Sequence, residues 1–207
     1  METLAELLDG VARGRLPEAD GGVTLLPQPS DRDLGVMAFT GHSVVFADLD
    51  PLWVRGYLQE ADVAAPMNPP FLRALERKTG RRVDGIDVLA LAQPLDEDAG
   101  ADVVEITGQA HPRVARSHRY RDDVRVWGCA SGILVLGRGV AGRLEVAVEV
   151  APERRGRGVG RSLALAARRL AKEPLWAQVA PGNAASLRAF LAAGYTPVGS
   201  EALLPPE

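Results

Sequence analysis

Residues 143–160, RLEVAVEVAPERRGRGVG, constrain this chain more than any other stretch. Leu144, Val146, Val148 and Val150 alternate with Glu145, Ala147 and Glu149, a period of two that an extended strand turns into one apolar and one polar face. A glycine-rich bend follows. Val159, Leu163, Ala166, Ala167 and Leu170 then recur at helical spacing over 158–172, with Arg161, Arg168, Arg169 and Lys172 assigned to the solvent side. A strand feeding a helix through a tight bend is the repeating unit of α/β folds. Around it, 123–128 and 133–136 read as earlier strands and 175–179 as a later one. Asn183 reads as the cap of a helix over 184–193 that ends at Gly194, and 195–204 reads as a final strand.

The front half is patterned less sharply. Leu4, Leu7, Leu8 and Val11 place a short helix over 2–13, and 23–26 and 42–48 read as strands. Asp50-Pro51 supplies a helix N-cap and a proline at the first helical position. A further helix starts near Pro70 and stops at Gly80, and Ile86 to Leu91 reads as a buried strand. The acidic stretch 94–101, PLDEDAGA, has the composition of an exposed linker. At about 150 residues per domain, 207 residues fit one enlarged domain or two small ones. The boundaries fall at 1–95, an α/β extension of unassigned role, and 102–207. No motif in the front half carries chemistry, and its one imidazole, His42, is read as structural.

Composition narrows the class further. The single Cys129 excludes an intramolecular disulfide framework and a cysteine-rich zinc module. A formal charge of −3 argues against a nucleic-acid binder held by bulk positive charge. Of the 24 basic residues only Lys78 and Lys172 are lysine, an arginine bias typical of GC-rich, bacterial coding. The first sixteen residues contain Glu6 and Asp9 and lack the apolar core of a signal peptide, and no run of 18 apolar residues exists. The expectation is a soluble, cytoplasmic protein without membrane or nucleic-acid partners.

Three glycine patterns compete for a ligand. Gly137 to Gly142 matches G-x-G-x-x-G, but it leads into a strand rather than a helix, which makes it a hairpin and not a dinucleotide site. A phosphate loop of the G-x-x-x-x-G-K-[ST] kind fails as well, because Arg155 stands at its first glycine and Arg161 at its lysine. The remaining run, Arg155-Gly156-Arg157-Gly158-Val159-Gly160, lies between strand and helix. There glycines let the backbone curl and gather N–H groups beside the positive end of a helix dipole. With Arg154 and Arg161 it offers a diphosphate site; alone, it equally fits a tight turn with solvated arginines.

Its context resembles motif A of the GNAT acetyltransferase superfamily, an apolar strand followed by R/Q-x-x-G-x-G/A and a helix. Asn183-Ala-Ala-Ser186 running to Gly194-Tyr195 is similar to the family's second motif. The resemblance covers about 102–207. It implies a mixed, mostly antiparallel central sheet flanked by helices, with acetyl-CoA as cosubstrate and an amine as acceptor. The strands at 143–150 and 175–179 would splay apart, with pantetheine against the main chain of Val148 and Val150. The diphosphate would rest on Arg155, Gly156, Arg157, Gly158, Val159, Gly160 and Arg161, and Asn183 would contact the pantetheine arm. No metal is implied. The front extension would complete the sheet, cover the acceptor site or mediate a homodimer.

Acetyl transfer to an amine needs a base, an oxyanion donor and an acid for the leaving thiolate. Glu145 and Glu149 share a strand face and are the candidate bases; a solvated face is the alternative for each. A backbone N–H near Val148–Val150 would serve the oxyanion. The family's usual acid, a tyrosine, is replaced by Phe190, which leaves a catalytically silent CoA-binding domain as the alternative function. His111 and His118, seven apart, would share a helix face near the acceptor or simply be solvated.

Overall fold

The computed structural model describes residues 2–58, 62–96, 103–107 and 111–206. The chain forms two compact units, Met1–Val88 with Val198–Glu207, and Leu89–Pro197. The division differs from the boundary read at 94–101: it falls earlier, and the last segment packs with the front unit. Of the acidic stretch itself, 97–101 lie outside the described residues.

In the first unit, numbering elements in chain order, the helices are α1 (Leu4–Ala12), α2 (Pro51–Tyr57) and α3 (Pro69–Thr79). The strands are β1 (Val23–Leu26), β2 (Gly35–Phe39), β3 (His42–Phe46) and most of β10 (Thr196–Leu203). β1 runs parallel to β3, while β2 pairs antiparallel with both β3 and β10. Thr3 caps α1 in a reciprocal box with Glu6, and Asp50 caps α2 through the Leu52 amide. Gly80, at φ 74, ends α3 in the left-handed conformation that glycine adopts without penalty. Val36, Val45, Phe71, Leu72, Leu75 and Ala202 form the core. His42 is structural here with identifiable partners: its Nδ1 lies 2.7 Å from Asp20 Oδ1 and its Nε2 2.9 Å from Thr24 Oγ1. The contact joins the turn before β1, β1 itself and the start of β3.

β4 (Gly85–Ala92) carries the chain into the second unit, where β5 (Val104–Glu105), β6 (Asp122–Cys129), β7 (Gly132–Arg138) and β8 (Leu144–Val150) pair antiparallel in that order. β9 (Leu175–Val179) joins β8 in parallel. The helices are α4 (Pro112–Tyr120), α5 (Val159–Leu170) and α6 (Ala184–Ala192). The unit is a mixed α/β fold with a mostly antiparallel sheet between helices. Leu134, Val146, Leu163, Ala167, Ala177 and Phe190 are buried together beneath α5 and α6. On the opposite face Val114 of α4 packs with Val126, Ile133 and Val135. The G-x-G-x-x-G run is a hairpin, as its pattern required, with Arg138 paired to Leu144 across it.

One helical assignment needs correction. Arg168 is partly buried rather than simply solvated: its Nε donates to Gln93 O at 2.9 Å and its Nη1 to Ala193 O at 2.7 Å, the carbonyl at the end of α6. Orphaned carbonyls at a helix C-terminus attract such a cation. The guanidinium also explains Gly194, where a Cβ would lie 2.4 Å from Arg168 Nη1.

Candidate functional site

β8 and β9 separate partway along their length. Their ladder runs Leu144↔Leu175, Glu145↔Trp176 and Val146↔Ala177, and there it stops. β8 continues for four more residues, paired to β7 as far as Gly132↔Val150. The Ala151 amide bonds Ser131 O on the β7 side, so strand alternation turns the main-chain groups of Val150 and Val148 toward the side β9 has left. An extended polar ligand can complete such a half-empty ladder.

The bend at the far end of β8 is open. Arg154, Arg155, Gly156, Arg157, Gly158 and Arg161 are exposed, while Val159 and Gly160 are partly buried. Gly156 and Gly158 have φ of 70° and 82°, and a Cβ on either would meet nothing within 4 Å, while the Arg155 side chain reaches back with its Nε 3.4 Å from Val150 O. From Gly156 to Arg161 no amide has an acceptor among the described residues; the first satisfied one is Ser162, bonded to Gly158 O at 3.1 Å. Gly158 caps α5 without a side-chain bond. Unpaired amides, a helix N-terminus and four exposed arginines are chemistry that suits a diphosphate. Gly160 lies near both Val150 and Ala189 of α6, which brings bend, strand and α6 together. Asn183 accepts from the Ser186 amide at 3.1 Å through Oδ1, leaving its amide nitrogen as a donor at the head of α6.

The two candidate bases, alike in sequence, have opposite environments. Glu145 is 2% exposed. It accepts from Arg143 Nε at 2.8 Å, Arg121 Nε at 2.8 Å, Gln178 Nε2 at 3.1 Å and the Val140 amide at 3.3 Å. Burial pushes its carboxyl up, but the attraction of Arg143 and Arg121 outweighs this and holds it below the usual glutamate value. A carboxylate so surrounded is a poor proton acceptor, and the solvated face expected as the alternative is absent too. With Gln178 it bridges β8 and β9 beside the point where their ladder ends. Glu149 is different. It is half-buried, and its Oε2 lies 3.0 Å from Arg113 Nε on α4.

Phe190 is 3% exposed and meets Tyr195 edge-on at 4.9 Å between centroids. Tyr195 is itself buried, with its hydroxyl near Ala164 O, and burial pushes its pKa up. Neither ring is a ready acid at neutral pH. His111 is the N-cap of α4 rather than a residue within it, accepting from the Arg113 amide through Nδ1 at 3.1 Å. With His118, Val114 and Arg125 it lines a cavity of about 580 Å³. Sequence reasoning missed Arg113 and Gln178 and placed Arg121 beyond the His111 and His118 helix face without its pairing to Glu145; the excess of arginine over 113–125 was the one signal available.

The family model described as "Acetyltransferase (GNAT) family" matches residues 94–195. Those residues therefore belong to the acetyltransferase (GNAT) family, and the chemistry this family match supports is acyl transfer. Among solved structures, a GCN5-related N-acetyltransferase from Kribbella flavida is similar at 18% identity and a TM-score of 0.42, over 67% of this chain and 65% of that one. A GNAT-family protein from Novosphingobium aromaticivorans DSM 12444 is similar at 19% identity and a TM-score of 0.43, over 62% and 68%. No curated protein matches. Among the described residues no helix is long and apolar enough to cross a membrane, and no group of His, Cys, Asp and Glu is placed to hold a metal ion.

Proposed function

We propose that this chain transfers an acetyl group from acetyl-CoA to a primary amine. The observation that carries the reading is the coincidence, within one unit, of a strand pair that parts after Val146↔Ala177 and a bend with unpaired amides that begins ten residues further on, at Gly156. The diphosphate of acetyl-CoA rests on the amides of Gly156 to Arg161, with Arg155 and Arg157 adding charge. The pantetheine arm lies along β8, bonding the main chain of Val148 and Val150 and the Asn183 side-chain amide. Glu149 takes a proton from the attacking amine, directly or through one water. The amine nitrogen bonds to the thioester carbon, a β8 amide facing the gap donates to the oxyanion, and the carbon–sulfur bond breaks. Solvent protonates the thiolate, since Phe190 carries no proton.

Phe190 supports a second reading, a domain that binds acetyl-CoA without transfer. Two measurements decide. Titration calorimetry detects acetyl-CoA binding in the wild type, and Arg155→Glu weakens it about tenfold or more by reversing a charge beside the diphosphate. Unchanged affinity in that variant removes the loop assignment. Thiol release on a panel of amines then separates enzyme from binder; Glu149→Gln lowers its rate while leaving acetyl-CoA affinity intact.

A further inference from the structure

Arg113 breaks a local rule. It lies in the first turn of α4, at the positive end of the helix dipole, where an acidic residue is favoured and none is present. Such conflicts between local preference and observed sequence concentrate at functional sites. Its partner is Glu149, reached across the sheet face from β8 by a single bond, Nε to Oε2 at 3.0 Å. Among the described residues nothing accepts from the two terminal nitrogens of Arg113, and nothing donates to the other carboxylate oxygen of Glu149. Both side chains are 37% exposed. The pair thus presents a guanidinium edge and a carboxylate edge side by side, each with unused hydrogen-bonding capacity.

The contrast with Glu145, on the same strand face, sharpens the point. There four donors saturate the carboxylate and burial seals it. At 37% exposure those edges are open to water, and a ligand with complementary groups can take that water's place. The ligand that matches is one carrying an amine and a carboxylate a few bonds apart. Its carboxylate takes the planar fork of Arg113 in two parallel bonds, and its ammonium takes the free oxygen of Glu149. Occupation replaces one exposed ion pair by two complementary ones and leaves the amine beside the group that deprotonates it.

Building on the acetyl-transfer reading above, we infer that the acceptor is an α-amino acid or a closely similar zwitterion, with Arg113 as the residue that selects its carboxylate. Neutral amides and simple amines leave the Arg113 fork unmatched. They are therefore poorer acceptors, even though an α-amide has the more readily deprotonated amine.

The test is thiol release from acetyl-CoA on matched trios: an α-amino acid, its α-amide and the corresponding decarboxylated amine. The side chains span acidic, basic, apolar and hydroxyl classes. In at least one class the acid exceeds its amide by about tenfold or more in kcat/KM, mostly through KM, as expected for one lost bidentate ionic contact. Arg113→Met brings that ratio close to one, Arg113→Lys retains part of it, and Arg119→Ala, elsewhere on α4, leaves it unchanged. If amides or amines equal the acids in every class, the inference is overturned while the transferase reading stands. If bound acetyl-CoA releases no thiol to any amine, the transferase reading fails and this inference falls with it. Should Arg113→Met not fold, the wild-type trios and Arg113→Lys still decide.

Discussion

Glu145→Gln separates the two carboxylates of β8 most sharply. In the wild type one buried carboxylate neutralises Arg143, 3% exposed, and Arg121, 12% exposed. The amide keeps the shape but loses the charge, and its nitrogen turns a donor toward groups that are themselves donors. Removing one partner of a buried ion pair costs about 3–5 kcal/mol, because the remaining charge stays desolvated. At about 2–4 °C per kcal/mol for a chain of this size, Tm falls by about 6–20 °C. Glu149→Gln breaks a half-exposed pair, costs less than about 1 kcal/mol and shifts Tm by less than about 4 °C. The assay is thermal unfolding of both variants beside the wild type, with thiol release measured well below each Tm. The difference between Glu145→Gln and wild type is pH-dependent. A carboxyl held below its unfolded value contributes its full stability above about pH 4.3 and loses it as pH falls through the folded value. The gap therefore narrows in acid. The reasoning is refuted if Glu145→Gln melts within about 2 °C of wild type, or if it is the variant that loses turnover while Glu149→Gln stays fully active.

Three further outcomes follow from geometry. Gly139→Ala puts a Cβ on the Glu145 carboxyl, and that carboxyl is fixed by four donors; it destabilises the fold, and combined with Glu145→Gln the two losses are less than additive in a double-mutant cycle of Tm or denaturant midpoint. Phe190→Tyr restores a hydroxyl at the family's usual acid position but buries it in an apolar core; stability drops by about 1–3 kcal/mol and kcat changes less than about threefold, since a CoA thiolate leaves without an acid. In the front unit the hydrogen bond from His42, aided by the Gly22 amide, holds the Asp20 carboxyl below its usual range; it contributes above about pH 3.9 and is lost on acidification. His42→Ala moves the Asp20 titration upward, read by carboxyl NMR.

Much of this architecture was legible from period and punctuation. β8 was, because each face has one character, and so were α2 and α6, because Asp50 and Asn183 are strong caps. β2 is absent from the sequence reading because Gly35–Phe39 is buried almost throughout and shows no alternation of polar and apolar residues. Arg168 reads as solvent-facing because a helix position two residues from the end of the apolar stripe carries no sign of its carbonyl partners, Gln93 and Ala193. The difference between Glu145 and Glu149 was invisible for a deeper reason. They share a strand, a face and a residue type, and what divides them arrives from Arg121, 24 residues away, Gln178, 33 residues away, and Arg113, 36 residues away. Nor does β8 itself record where β9 leaves it.

The front unit is completed by a strand some 160 residues downstream of its partner, with Ser200 set against Ala38. Without residues 198–203 β2 keeps one edge bare, and a bare strand edge invites foreign pairing. A chain stopped before Val198 would therefore carry that sticky margin on its front unit, open to the quality-control machinery of the cell.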